Sequence, residues 1–435
     1  MSITDVMFFF DTEDFTCDES QTAAKRLAEI CTEEGVTGHF AVVGKVAERL
    51  RNTGREDVID ALKKHEIGTH TWAHSVHPNI CQMTDCEDFS EAYARASQSE
   101  GKALDMLRSV FDRQDILFAV PPGDCHSYPA MYYYVDAGVP CNCGTYLFDE
   151  QRTLTYCTNA LHTAYDIFVE WIAFDGYSIA DELEKYVGKK QVIIATHPNV
   201  AVFREFWDMH NFNRKNLRAE GEDFIIPPRR TEEETRHYYD TFRAIIRAVK
   251  ADPRFRLTSL REVLAAQPAR TPVTPADIPA IREALLKDYA PLYGRNLCLY
   301  DIFMAAVSFL AGKEEYLPGK AYGLLYSPEE ITSPVTLTVS GVREAAASVA
   351  KDTFLPPFFL VDGQKIGTGD MLYAMLAALG ADGERITLNP HPEMTFLRRY
   401  PGLYNLSQSG KWVHSDDFKD EFLSDRMRLQ AWTIR

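Results

Sequence analysis

Residues 65–74 read His65-Glu66-Ile67-Gly68-Thr69-His70-Thr71-Trp72-Ala73-His74. His70 and His74 stand four apart. On a helix, positions i and i+4 share a face, so two imidazoles at this spacing can converge on one ion. Neutral imidazole suits Zn2+ and similar borderline metals. Taken alone, the spacing also recurs by chance as an ordinary surface pair. The sequence on either side decides between the two readings.

Upstream, residues 6–10 (Val-Met-Phe-Phe-Phe) form the short apolar run that a buried strand shows, and it runs into Asp11-Thr12-Glu13-Asp14-Phe15. A helical pattern over residues 20–34 follows, with Gly35 just past its end, and then a strand-like stretch over 38–44. Helix and strand patterns alternate onward to about residue 265, with strands expected at 116–120, 168–174 and 192–195. Such alternation predicts an α/β unit with parallel strands and the active site at their C-terminal ends. Barrel and open sheet both satisfy it. The strand at 192–195 leads directly into Thr196-His197-Pro198. Beyond it lies an aromatic-rich segment, Phe203 to Phe212, where substrate loops normally sit. A stacking platform for a ring and a packed lid both fit that segment, and the same holds for Tyr132, Tyr133 and Tyr134.

With these pieces in order, the chain resembles the polysaccharide deacetylases, the NodB-homology family of carbohydrate esterases, over about residues 5–265. The family's second motif is approximately H-E-I-G-N-H-[ST]-x-x-H, and residues 65–74 depart from it only at Thr69. Its first motif, T-F-D-D-G, supplies a catalytic base and then a metal-binding aspartate. Asp11-Thr12-Glu13-Asp14 resembles a D-x-E-D variant of it. The third, F-R-P-P-Y-G, is matched by Phe118, Pro121 and Gly123, but Ala119 stands where the family has an arginine that contacts the base. The fourth falls at Glu170-Trp171 or at Phe174 to Tyr177. The fifth places His197 as the catalytic histidine.

The resemblance implies a deformed (β/α) barrel that binds a divalent cation, Zn2+ by default, through Asp14, His70 and His74. It implies Asp11 or Glu13 as the base, with the choice open, and His197 as the general acid. Pro122, Asp124 and Trp207 are the substrate-binding candidates. The implied activity is removal of an acetyl group from an N-acetylated sugar or glycan. The residues by themselves imply only metal-assisted hydrolysis of a carbonyl–heteroatom bond: two imidazoles and a carboxylate leave a coordination position at which water becomes more acidic. Two alternatives stand beside it, a cytosolic amidase on a small or cyclic amide and a carbohydrate-binding protein without activity.

Composition narrows the partners. The chain has 435 residues, 46 basic and 63 acidic, for a net charge of −17. That length suits two or three domains at about 100–200 residues each. Hydrophobic residues at 46% exclude a wholly disordered chain. The acidity argues against a phosphate-backbone binder, since nucleic-acid affinity is driven by cations, so the expected partner is a small molecule or a glycan. The N-terminus has no basic region before its apolar run, and residues 302–311, the longest apolar stretch elsewhere, are too short to span a bilayer. Nine cysteines without a C-x-x-C pair read as reduced thiols in a cytoplasmic protein. Homo-oligomerisation stays open.

Pro268, Pro272, Pro275 and Pro279 crowd the stretch 265–280, which reads as a linker over 269–280 between a catalytic domain, 1–268, and an accessory domain, 281–435. The latter is expected to be small and mainly helical. Ile281-Arg282-Glu283-Ala284 and Val342-Arg343-Glu344-Ala345 open two helical patterns, and the stretches from Asp301 and Asp370 parallel each other downstream, a weak internal repeat. Residues 342–379 faintly resemble a pseudomurein-binding-type repeat. A further helix is expected over about 416–434.

Overall fold

The computed structural model describes residues 2–143, 155–212, 224–288, 297–390, 413–414 and 418–435. The strands are β1 (Thr4–Thr12), β2 (Gly38–Val42), β3 (Glu66–Thr69), β4 (Phe118–Ala119), β5 (Cys141–Asn142), β6 (Thr155–Cys157), β7 (Ala160–His162), β8 (Ile167–Phe168), β9 (Gln191–Thr196), β10 (Phe255–Leu257), β11 (Val335–Thr338), β12 (Phe358–Val361), β13 (Gln364–Gly367) and β14 (Arg385–Leu388). Two compact units divide the chain. The first comprises residues 1–154, 160–267 and 405–423; the second comprises 155–159, 268–404 and 424–435.

In the first unit the strands run β7-β5-β4-β3-β2-β1-β9-β8, with β10 beside the start of β1. Every pairing along this run is parallel. β1 lies at the centre and is buried on both faces, which is why it reads as an unbroken apolar run. Its side chains alternate. Phe8 and Phe10 meet Phe242 of the helix Glu232–Ala251 on one side. Phe9 points the other way, stacks on His39 at 4.5 Å and meets Phe118 at 5.1 Å. Phe118 is on β4, three strands away, or roughly 14 Å in a flat sheet at about 4.8 Å per strand. The contact therefore requires the sheet to curl around Phe9, giving the deformed barrel that the motif resemblance implies. Each fully buried Phe contributes about 1.5–3 kcal/mol to that core.

The expected helix at 20–34 is present as Asp18–Glu33, closed by Gly35 at φ 63°. One strand expectation fails: only Ile167 and Phe168 are extended, and Val169–Phe174 is a helix that buries Val169 and Ala173, four apart, on one side.

The second unit carries helices Ile278–Asp288, Leu299–Leu310, Val339–Ala347 and Thr368–Leu379. Two antiparallel ladders, β11 with β14 and β12 with β13, accompany them. Asp362 and Gly363, at φ 51° and 78°, make the tight turn between β12 and β13. The tail forms a shorter helix than expected, Leu423–Leu429, followed by a 3-10 turn at Gln430–Thr433. No described helix is long and apolar enough to cross a membrane.

Candidate active site

Three parallel strands deliver the chemistry at their C-terminal ends. β1 ends at Asp11 to Asp14, β3 runs into His70, and β9 runs into His197. Among the described residues, Glu13, His70 and His74 form the one cluster of metal-ligating side chains whose donor atoms all lie within 4.8 Å of one another. A Glu13 carboxylate oxygen is 3.0 Å from His74 Nε2 and 3.7 Å from His70 Nε2.

His70 and His74 do not converge through a helix, as their spacing suggests. Residues 70–78 form a chain of turns in which Thr71 and His74 adopt φ values of 65° and 54°. That left-handed backbone is costly for a β-branched threonine, about 1–3 kcal/mol, and such strain gathers at functional sites. The neighbourhood holds it in place. His74 N donates to Thr71 Oγ1, while Gly44 N and Lys45 N donate to the carbonyls of Thr71 and Trp72. Gly44 is needed for that approach, since a Cβ there would fall 2.5 Å from the Trp72 ring.

The ring nitrogens are set for ligation. His70 Nδ1 donates to the Val120 carbonyl at 2.8 Å, which leaves Nε2 as the lone-pair nitrogen facing the cluster. His74 Nδ1 lies 3.0 Å from Ser75 Oγ and 3.4 Å from Asp208, and Ser75 itself donates to Asp208 at 2.8 Å. Glu13 Oε1 and His70 Nε2 are buried without a hydrogen-bond partner. A buried polar atom left unpaired is expensive unless something else meets it, so this donor set fits a divalent cation. Burial opposes charge on Glu13, but the positive charge of His74 and the contact with His70 outweigh it and hold the carboxyl well below its ordinary range. Burial likewise disfavours charge on His74, yet Glu13 and Asp208 push its value up to about 10.

Asp14, the metal ligand that the family resemblance implies, lies outside the cluster. One of its oxygens accepts from Thr16 N at 2.8 Å and Thr16 Oγ1 at 2.6 Å, and the other accepts from Ser20 Oγ at 2.5 Å. Its carboxylate is thus occupied at the start of the helix Asp18–Glu33, and burial raises its pKa. Glu13, left open as a base, is the carboxylate that lies with the two histidines instead.

Asp11 stands apart from the ligand set. Its Oδ2 is 4.0 Å from His70 Nε2 and 3.7 Å from His197 Nε2, and its Oδ1 accepts from Tyr165 OH at 2.6 Å. His197 is held from three sides. Phe168 stacks on its ring at 5.8 Å and Phe206 meets it edge-on at 4.7 Å. Glu170 Oε1 contacts Nδ1 at 3.2 Å and accepts from the His197 backbone N–H at 2.8 Å. Burial pulls the His197 pKa down, but Glu170 outweighs it and brings the value up to about 9. Of the two places open for the fourth motif, Glu170-Trp171 is thus the one that reaches His197.

The substrate-binding candidates fare unevenly. Trp207 is 0% exposed and packs on Phe15, Phe212 and Phe224, 6.0 Å from the His74 ring. It braces a predicted ligand and offers no face for stacking on a sugar. Pro122 is buried in a 3-10 turn, Pro122–Asp124. The Asp124 side chain lies outside what the structure describes. Asp208, Ser75 and Tyr165 were not singled out in the sequence. Asp208 is one of two acids, with Glu205, in an aromatic segment 133 residues from Ser75, so no local pattern marks it.

No family model matches the chain, and no curated protein matches it in sequence. Solved structures do match, and several belong to the family that the motifs resemble. A family 4 carbohydrate esterase from Streptomyces lividans is 10% identical, covers 60% of this chain and 94% of its own, and has a TM-score of 0.34. A putative polysaccharide deacetylase from Mycobacterium smegmatis is 12% identical over 61% and 90%, with a TM-score of 0.38. A family 4 pseudoenzyme from Bacillus anthracis is 11% identical over 60% and 66%, with a TM-score of 0.34. At these values the likeness concerns the fold alone.

Proposed function

We propose that the chain is a metal-dependent hydrolase that removes an acetyl group from an N-acetylated sugar or glycan. The observation that carries this reading is the convergence of Glu13, His70 and His74, with Asp11 and His197 flanking them on the same rim. A divalent cation held by those three residues, Zn2+ by the preference of a two-histidine, one-carboxylate set, would supply Lewis acidity to a water and to the acyl oxygen. The remaining work belongs to the chain. Asp11 Oδ2 takes a proton from the water as its oxygen adds to the acyl carbon. His197, kept protonated by Glu170, gives a proton to the amine nitrogen as the C–N bond breaks. Acetic acid and a free amino sugar leave, the acid ionises to acetate in solution, and the proton Asp11 took equals the one His197 gave.

Metal analysis combined with an acetate-release assay on N-acetylchitohexaose tests the reading. Wild-type protein should carry about one equivalent of divalent metal and release acetate, and His70→Ala should do neither. Ammonia or a ring-opened product from small amides, without acetate from the glycan, would instead favour the amidase. Glycan binding with no product would favour a non-catalytic role.

A further inference from the structure

The family's base is contacted by an arginine, and this chain has Ala119 in that place. Asp11 nonetheless has a partner, supplied from elsewhere in the fold. Tyr165, in the link between β7 and β8, donates its phenol to Asp11 Oδ1 at 2.6 Å. We infer that Tyr165 is the positioning residue for the base, and that the segment Tyr165–Glu170 aligns base and acid together; this rests on the deacetylase reading above.

The geometry gives the phenol a specific task. A carboxylate on a short side chain can rotate, and only one of its oxygens faces the reaction. Tyr165 engages Oδ1, which leaves Oδ2 facing the space between His70 and His197. The tyrosine is itself fixed. Its ring sits 5.9 Å from Phe9 inside the barrel and 5.9 Å from Phe168. Its neighbour Asp166 is clamped to β9: Asp166 N donates to the Ile193 carbonyl, and Ile193 N donates to Asp166 Oδ2 at 2.8 Å.

The same segment continues to the acid. Ile167 and Phe168 pair with Ile194 and Ala195 on β9, Phe168 stacks on His197, and Glu170 contacts its Nδ1. Six consecutive residues thus set the orientation of both proton-transfer groups. A neutral phenol also differs from a guanidinium in kind. It holds the carboxylate by one directional hydrogen bond and brings no charge of its own, where an arginine forms an ion pair.

Tyr165→Phe removes one hydroxyl and keeps the ring packing. On N-acetylchitohexaose, kcat should fall about 10- to 100-fold, the scale of a small misplacement of a reacting group. KM should stay within about twofold and metal content should be unchanged. In an Asp11→Ala background the same substitution should have no further effect, because Tyr165 acts through Asp11. An unchanged kcat, or an equal fall in both backgrounds, overturns the inference. A crystal structure of Tyr165→Phe gives a readout that needs no turnover: Asp11 should rotate away from His197, and an unmoved Asp11 overturns the inference. A wild-type protein that turns over no acetylated substrate would count against the deacetylase reading instead, and the Asp11 orientation would still decide the role of Tyr165.

Discussion

Each unit of this molecule buries a cluster of charge, and the two clusters are completed in different ways. In the second unit, Asp301 and Arg435 are 0% and 1% exposed in their side chains. Arg435 donates to both Asp301 oxygens, at 2.7 and 3.0 Å, and to the Gly319 carbonyl at 2.6 Å. Cys298 N and Sγ donate to Asp301 as well. Every charge there has a partner. In the first unit, Glu13, His70 and His74 are also buried, but Glu13 Oε1 and His70 Nε2 have no hydrogen-bond partner. A buried polar network that closes on itself is architecture; one left open at donor atoms close enough to share an ion is a candidate site.

The contrast predicts that equal burial should give unequal consequences. The largest effect is expected for His197→Ala. It should lower turnover about 10²- to 10⁴-fold, the range of general acid–base catalysis, with metal content unchanged; loss of metal would assign His197 to the ligand set instead. Asp301→Asn should cost about 3–5 kcal/mol of stability in denaturant unfolding, because it leaves Arg435 buried beside a neutral partner. It should not alter bound metal. A smaller effect is expected for Asp208→Asn, which loosens the grip on His74. Metal affinity should weaken about 10- to 100-fold, read by competition with a chelating dye, with the fold intact.

The smallest effect lies in a second closed cluster. Glu330 accepts from the backbone N–H groups of Gly369 and Asp370, while Asp370 accepts from Ile331 N. Burial and the adjacent Asp370 carboxylate push Glu330 from 4.5 up to about 8. A carboxyl whose pKa is raised by folding stabilises the fold in its protonated form. That contribution is complete below about pH 4.5 and is lost as pH rises through 8. Glu330→Gln should flatten the decline in stability across this window, and an unchanged slope would assign it to other groups.

Much of the first unit was legible because its signals are local. An apolar run buried on both faces announces β1, and histidines directly after β3 and β9 announce the rim. Less was legible where one step along the chain reverses a side chain. Asp11 and Glu13 are two apart and meet the same cluster, while Asp14 is taken by Thr16 and Ser20. Spacing also misled at His70 and His74, where two left-handed residues do the work assigned to a helix. Tyr165 was hidden for a different reason. Its contact with Asp11 spans 154 residues, and no local pattern marks it. In the second unit, the Asp362-Gly363 turn was a readable hairpin signal that the helical periodicity around it obscured.

The central claim is that Glu13, rather than Asp14, joins His70 and His74 around the metal. Anomalous scattering from a crystal of the metal-loaded protein tests it directly. The account predicts a peak about 2.0–2.2 Å from a Glu13 carboxylate oxygen and from Nε2 of both histidines, with Asp14 still bonded to Thr16 and Ser20. A peak coordinated by Asp14, with Glu13 turned away, would contradict it.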